Sequence, residues 1–342
     1  QWDVDARVRR AAVSRLRDDI LLAKICERDP EESVRSAAAE RLDRSDPRLQ
    51  VIDSVGRGVS AAFNTGLARA RGTFIARMDA DDIALPHRLQ RQVEYLEAHP
   101  GTAICGACVE IFAADGVRGG NRRYEDWLNA CRDPAKIRRE LFIESPIPNP
   151  TALIRAPELR MLDGYREPDW PEDYDLFLRA DAAGLSMGKP DEVLLRWREH
   201  DGRLTRTDAR YALARFQAAK LHYLARHRLP RRRPVIIWGA GPTGRLTHDL
   251  LAVEGVAVAG FLEVHPRRIG GQKRGRPVWP VERLEREPSA FVLAAVGSAG
   301  AGSASGIDAP ALRTRTTVLE NGLTILTLED RTTPVVSFQV WV

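Results

Sequence analysis

The chain has 342 residues, 44% of them apolar, and a formal net charge of +5. That length suits two or three domains, and the apolar share is that of an ordinary globular chain. No run approaches the roughly 18 uninterrupted apolar residues of a membrane-spanning helix, and the arginines are spread without interleaved aromatics, which argues against a nucleic-acid partner.

The N-terminus, Gln1 to Asp5, has no basic-then-apolar leader and no initiator Met, which reads as a fragment or a processed product. Residues 1–46 hold an internal repeat. Val8-Arg-Arg-Ala-Ala-Val-Ser-Arg-Leu16 returns 26 residues later as Val34-Arg-Ser-Ala-Ala-Ala-Glu-Arg-Leu42. Both copies space their apolar residues as helices do. Asp29-Pro30-Glu31-Glu32 predicts a helix start, with acid in the first turn. The pattern resembles short HEAT-like repeats, and two copies are fewer than the three or so that bury a solenoid core. A plain helical hairpin is the simpler alternative.

Next comes Gly56-Arg57-Gly58, then Asn64, then an apolar run from Phe74 to Met78 that delivers Asp79, Asp81 and Asp82. The run predicts a buried strand. Asp79 and Asp81, two residues apart, point to one side at its C-terminal end. Paired carboxylates there suit a hard divalent cation carrying a phosphate-bearing substrate; a solvated acidic turn is the alternative. Cys105 and Cys108 have C-x-x-C spacing but no second pair to complete a zinc site. They read as buried thiols beside a strand around Ile104 and Val109. With Cys26 and Cys131 they indicate a reducing, cytoplasmic setting. Further on lie Trp170-Pro-Glu172-Asp173 and Leu195-Arg-Trp-Arg-Glu-His200.

Taken in order, these motifs resemble the family 2 glycosyltransferases of the GT-A fold, over roughly residues 47 to 225. The resemblance implies transfer from a nucleoside-diphosphate sugar to a sugar or glycan acceptor, with inversion and a divalent metal, Mn²⁺ or Mg²⁺. It implies Asp81 and His200 as metal ligands and Asp79, Arg57, Gly58 and Asn64 as donor contacts. Asp173 becomes the catalytic base, and Glu172 and Trp170 the acceptor contacts. An acidic helix N-terminus accounts equally for Glu172-Asp173. Family members open with a strand, a helix and a second strand before the Gly58–Asn64 region. Here the helical repeat occupies that place, and Asn149 stands where many members have His.

The basic run Arg226 to Arg233, flanked at its end by Pro230 and Pro234, reads as a solvated linker, with an anionic membrane surface as a second partner for it. Pro234 to Trp238 then predicts a parallel-type strand running into Gly239-Ala-Gly241-Pro-Thr-Gly244. A helix follows to Val253, and a strand from Val256 to Leu262 ends at Glu263, 24 residues after Gly239. A ribose-holding acid has nearly that spacing in a dinucleotide-binding unit. The segment resembles a small Rossmann-like domain, with Gly239, Gly241, Gly244 and Glu263 as a second nucleotide site. A glycine turn kept for helix–sheet packing carries equal weight. Residues 299–312 read as a linker. Thr316 to Leu328, around Asn321-Gly322, predicts a hairpin, and Pro334 to Val342 a third strand. This end resembles the start of an insulinase-family peptidase without its zinc motif.

The expected fold is therefore α/β: helical repeats over 1–46, a truncated GT-A domain over 47–228, a Rossmann-like domain over 229–298, a linker over 299–312 and peptidase-like strands over 313–342. The expected function is a metal-dependent inverting glycosyltransferase, cytoplasmic or at the inner membrane face. The alternative is an inactive remnant or a chimeric binding protein assembled from pieces of three gene products.

Overall fold

The computed structural model describes residues 5–16, 22, 25, 29–43, 50, 52–114, 116–117, 119–229, 233–287, 289–295, 313–318 and 324–329. The chain is mixed α/β. Helices α1 (Ala6–Val13) and α2 (Glu32–Asp43) pair through Val13, Leu22, Val34 and Ala38, a small apolar cluster of their own. Asp29 is buried ahead of α2, where its carboxylate takes the Glu31 N–H and pairs with Arg9. The repeat does not carry into equal burial, since Val8 is exposed and its counterpart Val34 is fully buried.

Helix α3 (Val59–Arg69) starts at Gly58, whose φ of +90° favours glycine. Strand β1 (Phe74–Ala76) follows, then β2 (Ile83–Ala84), α4 (Arg88–Ala98), β3 (Thr102–Cys105) and β4 (Cys108–Phe112). Helices α5 (Gly119–Ala130) and α6 (Pro134–Glu140) lead to β5 (Leu153–Arg155) and α7 (Ala156–Met161). After them come α8 (Glu172–Ala182), β6 (Ser186–Gly188), β7 (Val193–Arg198) and α9 (Leu213–His227). One sheet has the order β1-β5-β3-β6, and a second has β2-β7-β4.

One expectation needs correction here. The run from Phe74 was expected as a buried strand, but among the described residues β1 lies at the edge of its sheet and pairs antiparallel with β5. Its residues are accordingly half-buried or exposed, and Met78 is exposed beyond it. The physical reason is that β1 pairs on one side only, with β5, among the described strands. Cys105, Cys108 and Cys131 are free and buried, as the reading of small core thiols requires.

A third sheet holds β8 (Val235–Trp238), β9 (Val258–Leu262), β10 (Gln272–Lys273), β11 (Arg276–Trp279) and β12 (Phe291–Ala294), ordered β10-β11-β9-β8-β12. The pairs β11–β9, β9–β8 and β8–β12 are parallel, and α10 (Pro242–Val253) connects β8 to β9. One apolar cluster runs from Ile104, Tyr174 and Phe177 through Leu221 and Leu224 of α9 to Ile237, Leu251 and Phe261. The apolar core is thus continuous across the expected boundary at 228/229.

Strands β13 (Arg313–Val318) and β14 (Thr324–Glu329) pair antiparallel into a sheet of two. The Asn321-Gly322 turn, the 299–312 linker and the strand expected from Pro334 to Val342 lie outside the described residues. No helix among the described residues is long and apolar enough to cross a membrane.

Candidate active site

The acidic stretch folds as it does because β2, directly after Asp82, zips onto β7: Ile83 faces Arg196 and Ala84 faces Leu195. That register brings residues more than a hundred positions apart together. The Arg198 N–H donates to Asp82 Oδ1 at 2.8 Å, and the Arg198 guanidinium donates to the Asp81 carbonyl at 2.6 Å. His200 Nε2 lies 2.9 Å from Asp81 Oδ2. Asp79, Asp81 and Asp82 each offer a carboxylate oxygen, all within 4.8 Å of one another. The strand mouth therefore brings together Asp79, Asp81 and His200, three of the expected residues.

Asp82 was not singled out from the sequence, yet it has the least ordinary environment. It is 4% exposed, and its Oδ2 is buried with no donor in reach. Burial, with Asp79 and Asp81 adding their charges, pushes its carboxyl up to about 7. Its place as the third acid of the cluster was the available signal. Arg77 was also missed, although a charged residue closing an apolar strand run is a visible anomaly. It is ion-paired with Asp79. Burial disfavours its charge, and Asp79, Tyr165 and Asp173 outweigh that and hold its pKa above the ordinary value. The Arg77 charge is thus stabilised by both Asp79 and Asp173.

Asp173 occupies the first turn of α8, after Pro171. It is half-buried, and its Oδ1 accepts the Tyr174 N–H at 2.7 Å. Burial first, and then the neighbouring Glu172 charge, push its carboxyl up to about 7. Its charge reaches the hydroxyls of Tyr124, Tyr165 and Tyr211. The Arg203 charge acts on both Asp82 and Tyr124.

Other expected residues are engaged elsewhere. Glu172 is 1% exposed and accepts the Tyr211 hydroxyl at 2.9 Å, with Arg210 at 3.7 Å, so it faces inward. Trp170 donates its Nε1–H to Asp175 at 2.9 Å and packs on His222. Asn64 clamps the Tyr165 backbone, donating to its carbonyl at 2.7 Å and accepting its N–H at 2.9 Å. Asn64, expected as a donor contact, thus engages the Tyr165 backbone through both its amide nitrogen and its amide oxygen. Arg57 and Gly58 are exposed ahead of α3. Asn149 accepts the Tyr165 hydroxyl at 2.6 Å.

At the second expected site, Gly239 has φ +114° and Gly241 precedes the first turn of α10. A Cβ on Gly244 would fall 1.8 Å from the Gly239 carbonyl oxygen, so this glycine is needed for close packing. Glu263 Oε1 accepts the N–H groups of Val264 and His265, and Arg268 lies 3.1 Å from Oε2. Burial raises its pKa, but Arg268 and the two N–H donors overcome this and leave the carboxyl below its ordinary value. Two members of the basic run are ion-paired within the fold: Arg226 with Glu254 and Arg228 with Asp181.

Residues 9–159 match the family described as "Glycosyl transferase family 2"; the match begins inside α1 and therefore includes the helical repeat. The chain is 29% identical over 232 residues to "Putative glycosyltransferase EpsE" of Bacillus subtilis, covering 67% of this chain and 76% of that protein. It is 30% identical over 141 residues to "Amylovoran biosynthesis glycosyltransferase AmsE" of Erwinia amylovora, covering 41% of this chain and 50% of that one. It is 26% identical over 178 residues to "O-antigen biosynthesis glycosyltransferase WbnJ" of Escherichia coli, covering 51% and 65%. A solved mannosyltransferase from Pyrobaculum calidifontis shares 18% identity at a TM-score of 0.37, over 58% of this chain and 50% of that one, a likeness too loose to carry an argument. Over residues 9–159 the chain is thus similar to the glycosyltransferases of family 2.

Proposed function

We propose that the chain transfers a sugar from a nucleoside diphosphate to an acceptor hydroxyl, by single displacement with inversion. The observation that carries this reading is the convergence of Asp79, Asp81 and Asp82 around a buried Asp82 oxygen with no donor. Three carboxylates this close repel one another unless a cation or a proton intervenes. An all-oxygen set of this kind fits a hard divalent ion, Mn²⁺ or Mg²⁺. Asp79, Asp81 and Asp82 would hold it, with His200 set against Asp81 from the end of β7. A metal bound there supplies charge neutralisation for a leaving diphosphate.

The protein's own groups do the remaining work. Asp173 accepts the proton of the attacking hydroxyl, and a carboxyl pushed up to about 7 suits a base at neutral pH. Arg77 balances Asp79 and Asp173, which otherwise add like charge to one cleft. Arg57 and Gly58, open to solvent, are offered to the donor. An acceptor reaches Glu172 only if Tyr211 and Arg210 move, so its first contacts are Asp173 and the half-buried Trp170 ring. A second nucleotide at Gly239–Gly244 would need Glu263 to leave Arg268, and we assign that turn to packing.

Calorimetric titration of Mn²⁺ with a nucleoside diphosphate tests this assignment. The wild type should bind and Asp81→Ala should lose most of the affinity; equal binding by both overturns the metal site. A second reading, a binding protein derived from a transferase but lacking turnover, is favoured by the open edge of β1. Donor binding with neither transfer nor donor hydrolysis would select it.

A further inference from the structure

We propose that Asp175 is the positioning residue that sets the orientation of Asp173. The proposal rests on the reading of Asp173 as the base. The two side chains sit two residues apart in the first turn of α8, about 200° around the helix axis. The two side chains therefore leave opposite sides of the helix, and Asp175 is 2% exposed while Asp173 is half-buried.

The inward carboxylate ties three parts of the fold together. Its Oδ1 accepts Trp170 Nε1–H at 2.9 Å and the Tyr223 hydroxyl at 2.7 Å. Its Oδ2 accepts Arg179 Nε–H at 2.7 Å. Trp170 belongs to the loop entering α8, Tyr223 to α9, and Arg179 to the next turn of α8 itself. Arg179 extends the link, donating to the carbonyls of Leu162 and Gly164, the latter at 2.9 Å. The next residue is Tyr165, whose hydroxyl feels the Asp173 charge. One buried anion thus fixes the loop before the helix, the rotation of its first turn and the tyrosine wall beside Asp173. A buried carboxylate whose three donors are all in place forms a satisfied network, which rigidifies the groups that it joins.

The groups facing Asp173 come from five elements: Glu172 on α8, Arg77 after β1, Tyr165 after α7, Tyr211 before α9 and Tyr124 on α5. None is touched by substituting Tyr223. The test is a ¹³C NMR titration of the Asp173 carboxyl carbon in the full chain, in wild type, Tyr223→Phe and Asp175→Asn. Loosening the first turn lets water reach Asp173, so its midpoint should fall toward the ordinary aspartate value, by about half a unit or more in Tyr223→Phe and further in Asp175→Asn. Tyr223→Phe changes no charge, so its shift separates positioning from simple electrostatics. If Asp175→Asn does not fold, Tyr223→Phe decides alone. Variants that melt earlier but keep the wild-type midpoint make Asp175 merely structural and overturn the proposal. The titration needs no turnover, so a wild type without transfer defeats the enzymatic reading and leaves this measurement to stand. Where transfer is measured, kcat should fall with donor KM little changed.

Discussion

Two buried acids that follow strands in this protein have opposite outcomes. Beyond β1, Asp82 keeps a buried oxygen that no donor satisfies, beside two more carboxylates. Beyond β9, Glu263 has both oxygens taken by two backbone N–H groups and Arg268. Burial acts on both carboxyls in the same sense; the local partners decide the result, leaving one pushed up to about 7 and the other below its ordinary value. An unsatisfied buried charge is costly unless a ligand or proton completes it. The acid that looks wrong on its own is therefore the better mark of a binding site, and the acid that looks finished marks a joint in the fold.

The sharpest way to break this contrast is at the base. Asp173→Asn should lower kcat for transfer by roughly 10²–10⁴-fold, the usual worth of general base catalysis, with donor binding nearly intact. The pH profile gives the same test without mutation. The base works when deprotonated, so kcat should climb about tenfold per pH unit below 7 and level off above it, following the carboxyl at about 7. A flat profile between pH 5.5 and 8 would be incompatible with this role for a rate-limiting proton transfer.

Next in size is the strand mouth. Asp82→Asn removes a charge from the cluster and should weaken Mn²⁺-dependent nucleoside diphosphate binding by about 10–100-fold, as metal-site substitutions commonly do. Unchanged metal affinity would remove Asp82 from the site. The glycine turn should respond in stability instead. Gly244→Ala places a Cβ against the Gly239 carbonyl and should cost about 1–3 kcal/mol, read as a lower unfolding midpoint. Smallest is Glu263→Gln, which leaves Arg268 with a weaker partner and should cost on the order of 1 kcal/mol. Because the folded pKa of Glu263 is lowered, its contribution is present above the unfolded carboxyl value, about 4.3, and fades as pH falls below it. The loss in Glu263→Gln should thus shrink in acid, while nucleotide binding stays as in wild type. A nucleotide affinity that drops with Glu263→Gln would restore the second site and undo the contrast.

The sequence made some of this visible for stateable reasons. Asp79 and Asp81 stood out because a strand run followed by acids two apart is a local pattern, and His200 because of its order in a family-like series. The pairing that unites them, β2 on β7, was hidden because strand register across a hundred residues leaves no local trace. Periodicity marks a strand but not its place in a sheet, so the edge position of β1 was beyond reach. Asn64 has the residue type of a donor contact, yet its two amide faces fit the Tyr165 backbone. Glu263 has nearly the right spacing for a ribose, and Arg268, five residues on, was the overlooked signal that it was already paired. Tyr211, whose hydroxyl meets Glu172, lies in a polar turn with nothing to distinguish it.

The joint between α9 and α10 has a consequence for modular exchange. Glu254, just past α10, is gripped by His222 at 2.8 Å and Arg226 at 3.0 Å, and the apolar cluster passes through both helices. A natural or engineered swap of everything after residue 229 must therefore bring its own acid to this spot and its own apolar helix face. A replacement lacking either leaves α9 uncovered, and with it the Tyr223 that holds Asp175. A swap that trades the downstream unit should therefore trade the helix it leans on as well.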